Sequence, residues 1–288
     1  MNHPIRPVPQ AAIDRILEMA FAEDYPRGDL TADTIVPIDA QATAVVSARE
    51  PGILCGGTVF ARAMKMLNEN IEVTQLIADG ARFETGDELL KVQGPAASVL
   101  SAERVALNLL QRMSAIATAT GELVDLVSHT KARIADTRKT TPGLRVLERY
   151  AVRCGGGVNH RDNLSEAFMA KDNHLALLGE GQELTAALKA VRSRLGHTTS
   201  MEVEVDRIEQ IPAVLAAKVD IIMLDNFDLA DIPAAIKLID GQAIIEASGT
   251  VSASTVGPIA ETGVDIISSG AITHSVRAID LGLDMVIA

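Results

Sequence analysis

The sequence predicts an α/β protein in which a TIM-like (β/α) barrel follows a smaller mixed α/β domain. Three observations carry that expectation. The 288 residues are 48% hydrophobic but only 2% aromatic. The core must therefore be Ala, Val, Ile and Leu, the composition of parallel strands buried under helices. After Lys131 short apolar runs alternate with helical patterns, which implies a parallel sheet with helices outside. Each run ends in charge, serine or glycine, and in a (β/α) barrel the C-terminal strand ends are where functional groups converge. An open doubly wound sheet would gather them at one switch point instead.

Taken in order, residues 1–9 read as a loose arm holding Pro4, Pro7 and Pro9. From Gln10, the residues Ile13, Ile16, Leu17, Ala20 and Phe21 fall at helical spacing. Residues 43–48 read as a strand closed by Pro51-Gly52, Gly57–Leu67 as a helix, and 71–77 as a half-buried strand. Turn signals at Asp79-Gly80 and Thr85-Gly86 surround an expected hairpin ending at Gly94-Pro95. Residues 101–129 are helix formers, with Gly121 a point at which they divide into two helices. The expected domains are 1–130, with the C-terminal end of the chain as a candidate addition to it, and 131–288. Within the second, strands are expected at 132–137, 167–171, 201–205, 221–224, 243–247 and 266–269. Helices are expected at 183–195, 208–217, 231–239, 254–262 and 275–281.

The bulk chemistry excludes several classes. A net charge of −12 argues against a general nucleic-acid or membrane-surface binder, because an acidic surface repels phosphate backbones. Cys55 and Cys154 are the only cysteines, so a reduced cytoplasmic setting is expected rather than a disulfide scaffold. No apolar run approaches a membrane span and no leader-like segment is recognised.

Against that acidic background, cations gather locally. Between Lys131 and Lys171 the chain carries Arg133, Arg138, Lys139, Arg145, Arg149, Arg153 and Arg161, beside Thr-Pro-Gly, Gly-Gly-Gly and His-Arg. This reads as a pocket for a small polyanion. Arg138 and Arg161 offer planar forks for carboxylate or phosphate, and His160 adds a donor. The turns Glu246-Ala-Ser-Gly-Thr250 and Ser268-Ser-Gly-Ala271 place small residues where strands meet helices, a setting for phosphate. Glu204 and Asp225 close neighbouring strands, and Glu202 points to the same interior. They suit sugar hydroxyls or phosphate-borne Mg²⁺, or a structural ion pair to Lys171 or Lys139. Lys171 at a strand end also fits a Schiff-base lysine of an aldolase-like lyase. His174 reads as a capping or supporting group, while His129, His197 and His274 show no metal-ligand pattern.

These residues resemble the quinolinate phosphoribosyltransferase (decarboxylating) family, whose enzymes are also called nicotinate-nucleotide pyrophosphorylases (carboxylating). The matching segments are Gly28-Asp-Leu-Thr31, Ala48-Arg-Glu-Pro-Gly52, Glu103-Arg-Val-Ala-Leu-Asn108 and Asp136-Thr-Arg-Lys-Thr-Thr-Pro-Gly-Leu-Arg145. They continue through Tyr150-Ala-Val-Arg-Cys-Gly-Gly-Gly-Val-Asn-His-Arg161, Lys171-Asp-Asn-His174, Glu202-Val-Glu-Val205, Leu224-Asp-Asn226, Glu246-Ala-Ser-Gly249 and Thr273-His-Ser275. The resemblance spans nearly the whole chain in order. Thr250 departs from it, standing where many relatives have Gly or Asn.

The resemblance implies an N-terminal α/β sandwich domain and a C-terminal incomplete (β/α) barrel. It implies a homodimer with shared sites, Arg104 reaching the neighbouring subunit's barrel. The implied reaction joins quinolinate to phosphoribosyl pyrophosphate with Mg²⁺, giving nicotinate mononucleotide, pyrophosphate and CO₂ in NAD biosynthesis. By position, Arg138, His160, Arg161 and the neighbour's Arg104 would hold the two carboxylates. Lys139 and Lys171 would bind pyrophosphate and the acid. Glu204 and Asp225 would face the ribose hydroxyls and meet Mg²⁺ indirectly, through the substrate. Ser248, Gly249, Gly270 and Ala271 would line the 5′-phosphate, and Thr137, Thr250 and Ser269 count as substrate-binding positions beside them. Lys139, Lys171, Glu204 and Asp225 are the expected catalytic set. A non-catalytic sensor of pyridine acids is the reading from another class.

Overall fold

A computed structural model describes residues 5–287, so the first part of the arm expected over 1–9 lies outside the described residues. The chain forms two compact units. One holds the residues up to Gly121 with 140–156 and those from Ile272 onward; the other holds 122–139 and 157–271.

In chain order, α1 (Gln10–Asp24) buries Ile13, Leu17 and Phe21, the face its spacing predicts. The Asp29 carboxylate accepts the Thr31 and Ala32 amides and so caps α2 (Leu30–Ile35). Next come β1 (Gln41–Ala48), β2 (Gly52–Ile53), α3 (Gly57–Leu67), β3 (Glu72–Gln75), β4 (Arg82–Phe83), β5 (Glu88–Pro95) and α4 (Ala96–Val127). After β6 (Arg133–Ala135) come α5 (Arg145–Cys154), β7 (Phe168–Ala170), α6 (Asp172–Leu175), α7 (Gly181–Arg192) and β8 (Met201–Val205). The chain continues through α8 (Ile211–Ala216), β9 (Ile221–Asp225), α9 (Ile232–Ile239), β10 (Ile244–Ser248), α10 (Val256–Glu261), β11 (Ile266–Ser268), α11 (Ala271–His274) and β12 (Leu281–Ile287).

The first unit contains an antiparallel four-stranded sheet ordered β12-β1-β5-β3. Ala42, Ala44, Val46 and Ala48 of β1 supply one buried face by simple alternation. The second unit contains six parallel strands ordered β6-β11-β10-β9-β8-β7. β6 and β7 remain edge strands of that sheet, so the barrel is incomplete, as the family resemblance implies. A bridge between Ala135 and Val158 extends the β6 edge.

Four local expectations are corrected. α4 runs unbroken through Gly121, which serves close packing: a Cβ there would lie 2.4 Å from Ile53 Cδ1. The expected hairpin does not form, because β4 pairs with β2 while β5 pairs with β1 and β3. Residues 275–281 are not a helix. Glu50 takes the Arg277 guanidinium and the Asp280 amide, and Leu281 enters the sheet opposite Ala48. The helix expected over 208–217 is a 3₁₀ turn at Ile208–Gln210 followed by α8. Pro212, lacking an N–H, is tolerated in the first turn of α8.

The single cut expected at 130/131 also differs from the compact units. α5, unassigned from sequence, belongs with the first unit. There Tyr150 donates to Asp79, and Glu148 meets Arg112 at 2.9 Å.

Candidate active site

The C-terminal ends of the parallel strands surround a cavity of about 590 Å³. After β6, Asp136 is fully buried and accepts Asn159 Nδ2 and the His160 amide, both at 2.7 Å. These bonds tie the Thr137-Arg138-Lys139 loop to the segment carrying His160 and Arg161. Thr137 Oγ1 accepts the Lys139 amide at 3.1 Å, a local turn that sets the loop's path. Thr137, Arg138 and Lys139 all line the cavity.

His160 is held from both ring nitrogens. Nε2 lies 3.1 Å from Glu202 Oε2 and 3.6 Å from Glu246 Oε1, while Nδ1 accepts the Arg161 amide at 2.7 Å. Burial opposes charge on this imidazole, but the Glu202 hydrogen bond and the carboxylates of Glu246, Glu202 and Asp136 outweigh it and push its pKa up. Arg161 donates to the Ala167 carbonyl at 3.0 Å. Burial and then the Arg138 charge hold the Arg161 pKa below the usual guanidinium range, against the pull of Glu202. Repulsion between two such forks is relieved when an anion enters between them.

On the next strands, Lys171 reaches Glu204 Oε2 at 2.7 Å. The ion pair expected as one alternative for Glu204 is therefore present. His174 Nδ1 accepts the Lys171 amide at 3.0 Å, a supporting role. Asp225 ends β9 and accepts Asn226 Nδ2 at 2.9 Å. Asn226 adopts φ +52°, and its amide donates to the Ser248 carbonyl. Gly249 has φ +140°, and a Cβ there would stand 2.6 Å from Asn226 Oδ1. Glycine is required at this crossing.

Eleven of the expected positions line this one cavity: Thr137, Arg138, Lys139, His160, Arg161, Lys171, Glu204, Asp225, Ser248, Gly249 and Thr250. Ser269, Gly270 and Ala271 are not among its walls; the Ser269 amide instead donates to the Ala135 carbonyl. Arg104 lies on α4 in the first unit, its side chain 63% exposed and 3.9 Å from Glu103. Met169 and Met223 also line the cavity and were missed, and it is further lined by Asn226 and Ser268, which the sequence marked only within the Leu224–Asn226 and Ser268–Ala271 segments. The signal for the two methionines was strand parity, since each stands two residues before a cavity residue, Lys171 or Asp225. At the first of the two expected phosphate turns the strand does not lead directly into a helix. α10 starts only at Val256 and has six residues, which leaves loop amides and hydroxyls as the donors near Ser248–Thr250.

For a cation, His160, Glu202 and Glu246 form one cluster of ligand-type atoms within 4.8 Å of one another. Glu202 and Glu246 are buried beneath the cationic wall, and Glu204 is already engaged by Lys171. The arrangement fits Mg²⁺ arriving on a polyphosphate better than a resident ion.

A basic cavity at the mouth of an incomplete parallel barrel, edged by serine, glycine and threonine, defines an enzyme site for phosphorylated and carboxylated substrates. Residues 29–114 match the N-terminal domain model of quinolinate phosphoribosyl transferase, and 116–284 match its C-terminal domain model. The chain is 44% identical over 284 residues to the nicotinate-nucleotide pyrophosphorylase (carboxylating) of Mycobacterium leprae, covering 96% of this chain and 97% of that one. It is 39% identical over 276 residues to a probable enzyme of the same name from Bacillus subtilis, covering 96% and 94%. The solved structure of nicotinate-nucleotide pyrophosphorylase from Francisella tularensis superposes with a TM-score of 0.90 at 38% identity, covering 99% of this chain and 100% of that one. The chain belongs to the quinolinate phosphoribosyl transferase family.

Proposed function

We propose that the chain transfers the phosphoribosyl group of phosphoribosyl pyrophosphate to quinolinate and releases pyrophosphate and CO₂, making nicotinate mononucleotide for NAD biosynthesis. It is a pentosyltransferase. The observation that carries this reading is the convergence of Arg138, Lys139, Arg161 and Lys171 on one cavity that Ser248, Gly249 and Thr250 also line. Two guanidinium forks suit a dicarboxylate, and loop amides and hydroxyls suit a 5′-phosphate.

The chemistry follows from those groups. Displacement at the ribose anomeric carbon passes through an oxocarbenium-like state, so positioning and neutralisation of the leaving group dominate. Lys139 and Lys171 supply positive charge to pyrophosphate and to the acid. Glu204 and Asp225 face the ribose hydroxyls. Mg²⁺ comes with phosphoribosyl pyrophosphate as part of the substrate. Once the ring nitrogen is ribosylated, its charge stabilises the carbanion left when the adjacent carboxylate departs.

The working assembly in this reading is a homodimer in which Arg104 of one subunit completes the other's site. Exposure of Arg104 on α4 supports it. In this reading the compartment is the cytoplasm. Among the described residues no helix is long and apolar enough to cross a membrane.

Purified protein supplied with quinolinate, phosphoribosyl pyrophosphate and Mg²⁺ should form nicotinate mononucleotide and CO₂ in equal amounts, and nothing with nicotinic acid. Quinolinate binding without turnover would favour the sensor reading instead.

A further inference from the structure

The turn that closes β10 borders two cavities. Ser248, Gly249 and Thr250 line the cation-walled one, of about 590 Å³. They also line a second, of about 390 Å³, together with Leu224, Phe227, Ile232 and Ile259. A turn exposed to open space on this scale lacks the close packing that fixes an interior. Its place must be set by backbone and by hydrogen bonds. Asn226 lines both cavities as well.

Asn226 directly follows Asp225 at the end of β9 and is tied to the site in three ways. Its backbone amide donates to the Ser248 carbonyl at 2.9 Å, which carries the pairing of β9 with β10 one step past the strands. Its side-chain Nδ2 donates to Asp225 Oδ2 at 2.9 Å. Its Oδ1 and Cα stand 2.6 and 3.2 Å from where a Cβ on Gly249 would lie, so the turn passes close against it. One residue thus meets both the carboxylate assigned to the ribose hydroxyls and the turn assigned to the 5′-phosphate.

The backbone conformation alone does not account for asparagine here. At φ +52° asparagine is tolerated better than most residues, but glycine is tolerated better still. An asparagine serving only a turn bonds its own backbone. Here the amide is directed instead at the neighbouring carboxylate. With Oδ2 engaged, the plane of the Asp225 carboxylate is set and its other oxygen is left for a hydroxyl.

Resting on the transferase reading, we propose that Asn226 is a positioning residue that holds the Asp225 carboxylate and the Ser248–Thr250 turn in register. Phosphoribosyl pyrophosphate is then gripped by its ribose hydroxyls and its 5′-phosphate as one unit. Asn226 acts through Asp225 and the turn. Arg138 follows β6 and Arg161 precedes β7, so quinolinate recognition lies outside its reach.

Calorimetric titration with phosphoribosyl pyrophosphate and Mg²⁺ tests this in two backgrounds. Glycine takes φ +52° freely, so Asn226→Gly keeps the backbone and deletes the amide. Its Kd for phosphoribosyl pyrophosphate should rise about tenfold. Its Kd for quinolinate and its urea midpoint should stay near those of the wild type. With Asp225→Asn already in place, the same change should raise the Kd less than about threefold, because the two residues act as one group. An equal rise in both backgrounds, or no rise in either, would overturn the proposal and leave the transferase reading intact. Equal weakening of both substrates would overturn it too, since a merely structural asparagine would act on both. Should the glycine variant not fold, Asn226→Asp carries the test. That change keeps the shape and puts a second carboxylate where Asp225 had a donor. Its Kd for phosphoribosyl pyrophosphate should rise more than about tenfold, and a wild-type value would overturn the proposal. Wild-type protein that binds no phosphoribosyl pyrophosphate would remove the transferase reading, and the proposal with it.

Discussion

Glu148 in the first unit and Glu246 in the second are both buried acids, 0% and 3% exposed. Glu148 is fully answered. Its Oε1 accepts Arg112 Nη2 at 2.9 Å and Nε at 3.2 Å, and its Oε2 accepts the Thr141 amide at 3.1 Å. Arg112 in turn donates to the Thr273 carbonyl, so one ion pair joins α4, α5 and the C-terminal segment of the unit. Glu246 has a neighbouring carboxylate, a histidine and an oxygen without a donor. The same residue type, equally buried, is a joint in one unit and an incompletely satisfied acid in the other. A satisfied buried acid holds structure, whereas one left incompletely satisfied beside a cavity belongs with the chemistry.

The largest effect that would sharpen this contrast is on the satisfied side. Arg112→Met leaves Glu148 buried without its partner and should lower stability by roughly 3–5 kcal/mol in urea denaturation. A loss under about 1 kcal/mol would contradict the role given to the pair. Next in size, Arg138→Ala should lower kcat/KM for quinolinate about 100-fold to 1000-fold while leaving the urea midpoint near that of the wild type. Equal losses of folding and activity would erase the distinction between the two regions. Gly249→Ala should cost about 1–3 kcal/mol and weaken phosphoribosyl pyrophosphate binding, because the new Cβ meets Asn226 Oδ1. Its readout is KM for that substrate alongside thermal unfolding.

The smallest effect is a slope with pH. Burial, followed by repulsion from Glu202, raises the Glu246 carboxyl from 4.5 to about 7, with His160 opposing. The folded chain therefore keeps a proton that the unfolded chain releases. The associated stability is fully present below pH 4.5 and is lost as pH rises through about 7. His160, also raised, acts in the same direction as pH climbs. Urea midpoints of the wild type should decline across that window, and Glu246→Gln should flatten the decline. An unchanged slope would show that Glu246 binds no proton there.

Much of the second unit was legible because its strands are short, apolar and regularly punctuated. Met201–Val205 is a strand over the very residues expected, buried along its whole length. The cavity residues were legible for the same reason: a charged or small residue ending an apolar run has nowhere to lie but the strand's C-terminal mouth. The first unit was harder. α5 carries Arg145, Glu148, Arg149 and Arg153 among its apolar residues, so its buried face of Leu147, Ala151 and Cys154 is masked. The pairing of β12 with β1 joins strands more than two hundred residues apart, and local periodicity holds no record of such a partner. The acidic floor was only half visible. Parity marked Glu202 as inward, but nothing in the sequence says that Glu246 meets it beneath His160.

The most direct measurement is calorimetric titration of the wild-type chain with quinolinate and, separately, with nicotinic acid. If Arg138 and Arg161 form a clamp for two carboxylates, quinolinate should bind one per cavity and at least about tenfold more tightly than the monoacid, with affinity falling as salt rises. Equal affinity for the two acids, or no dependence on salt, would contradict the dicarboxylate clamp.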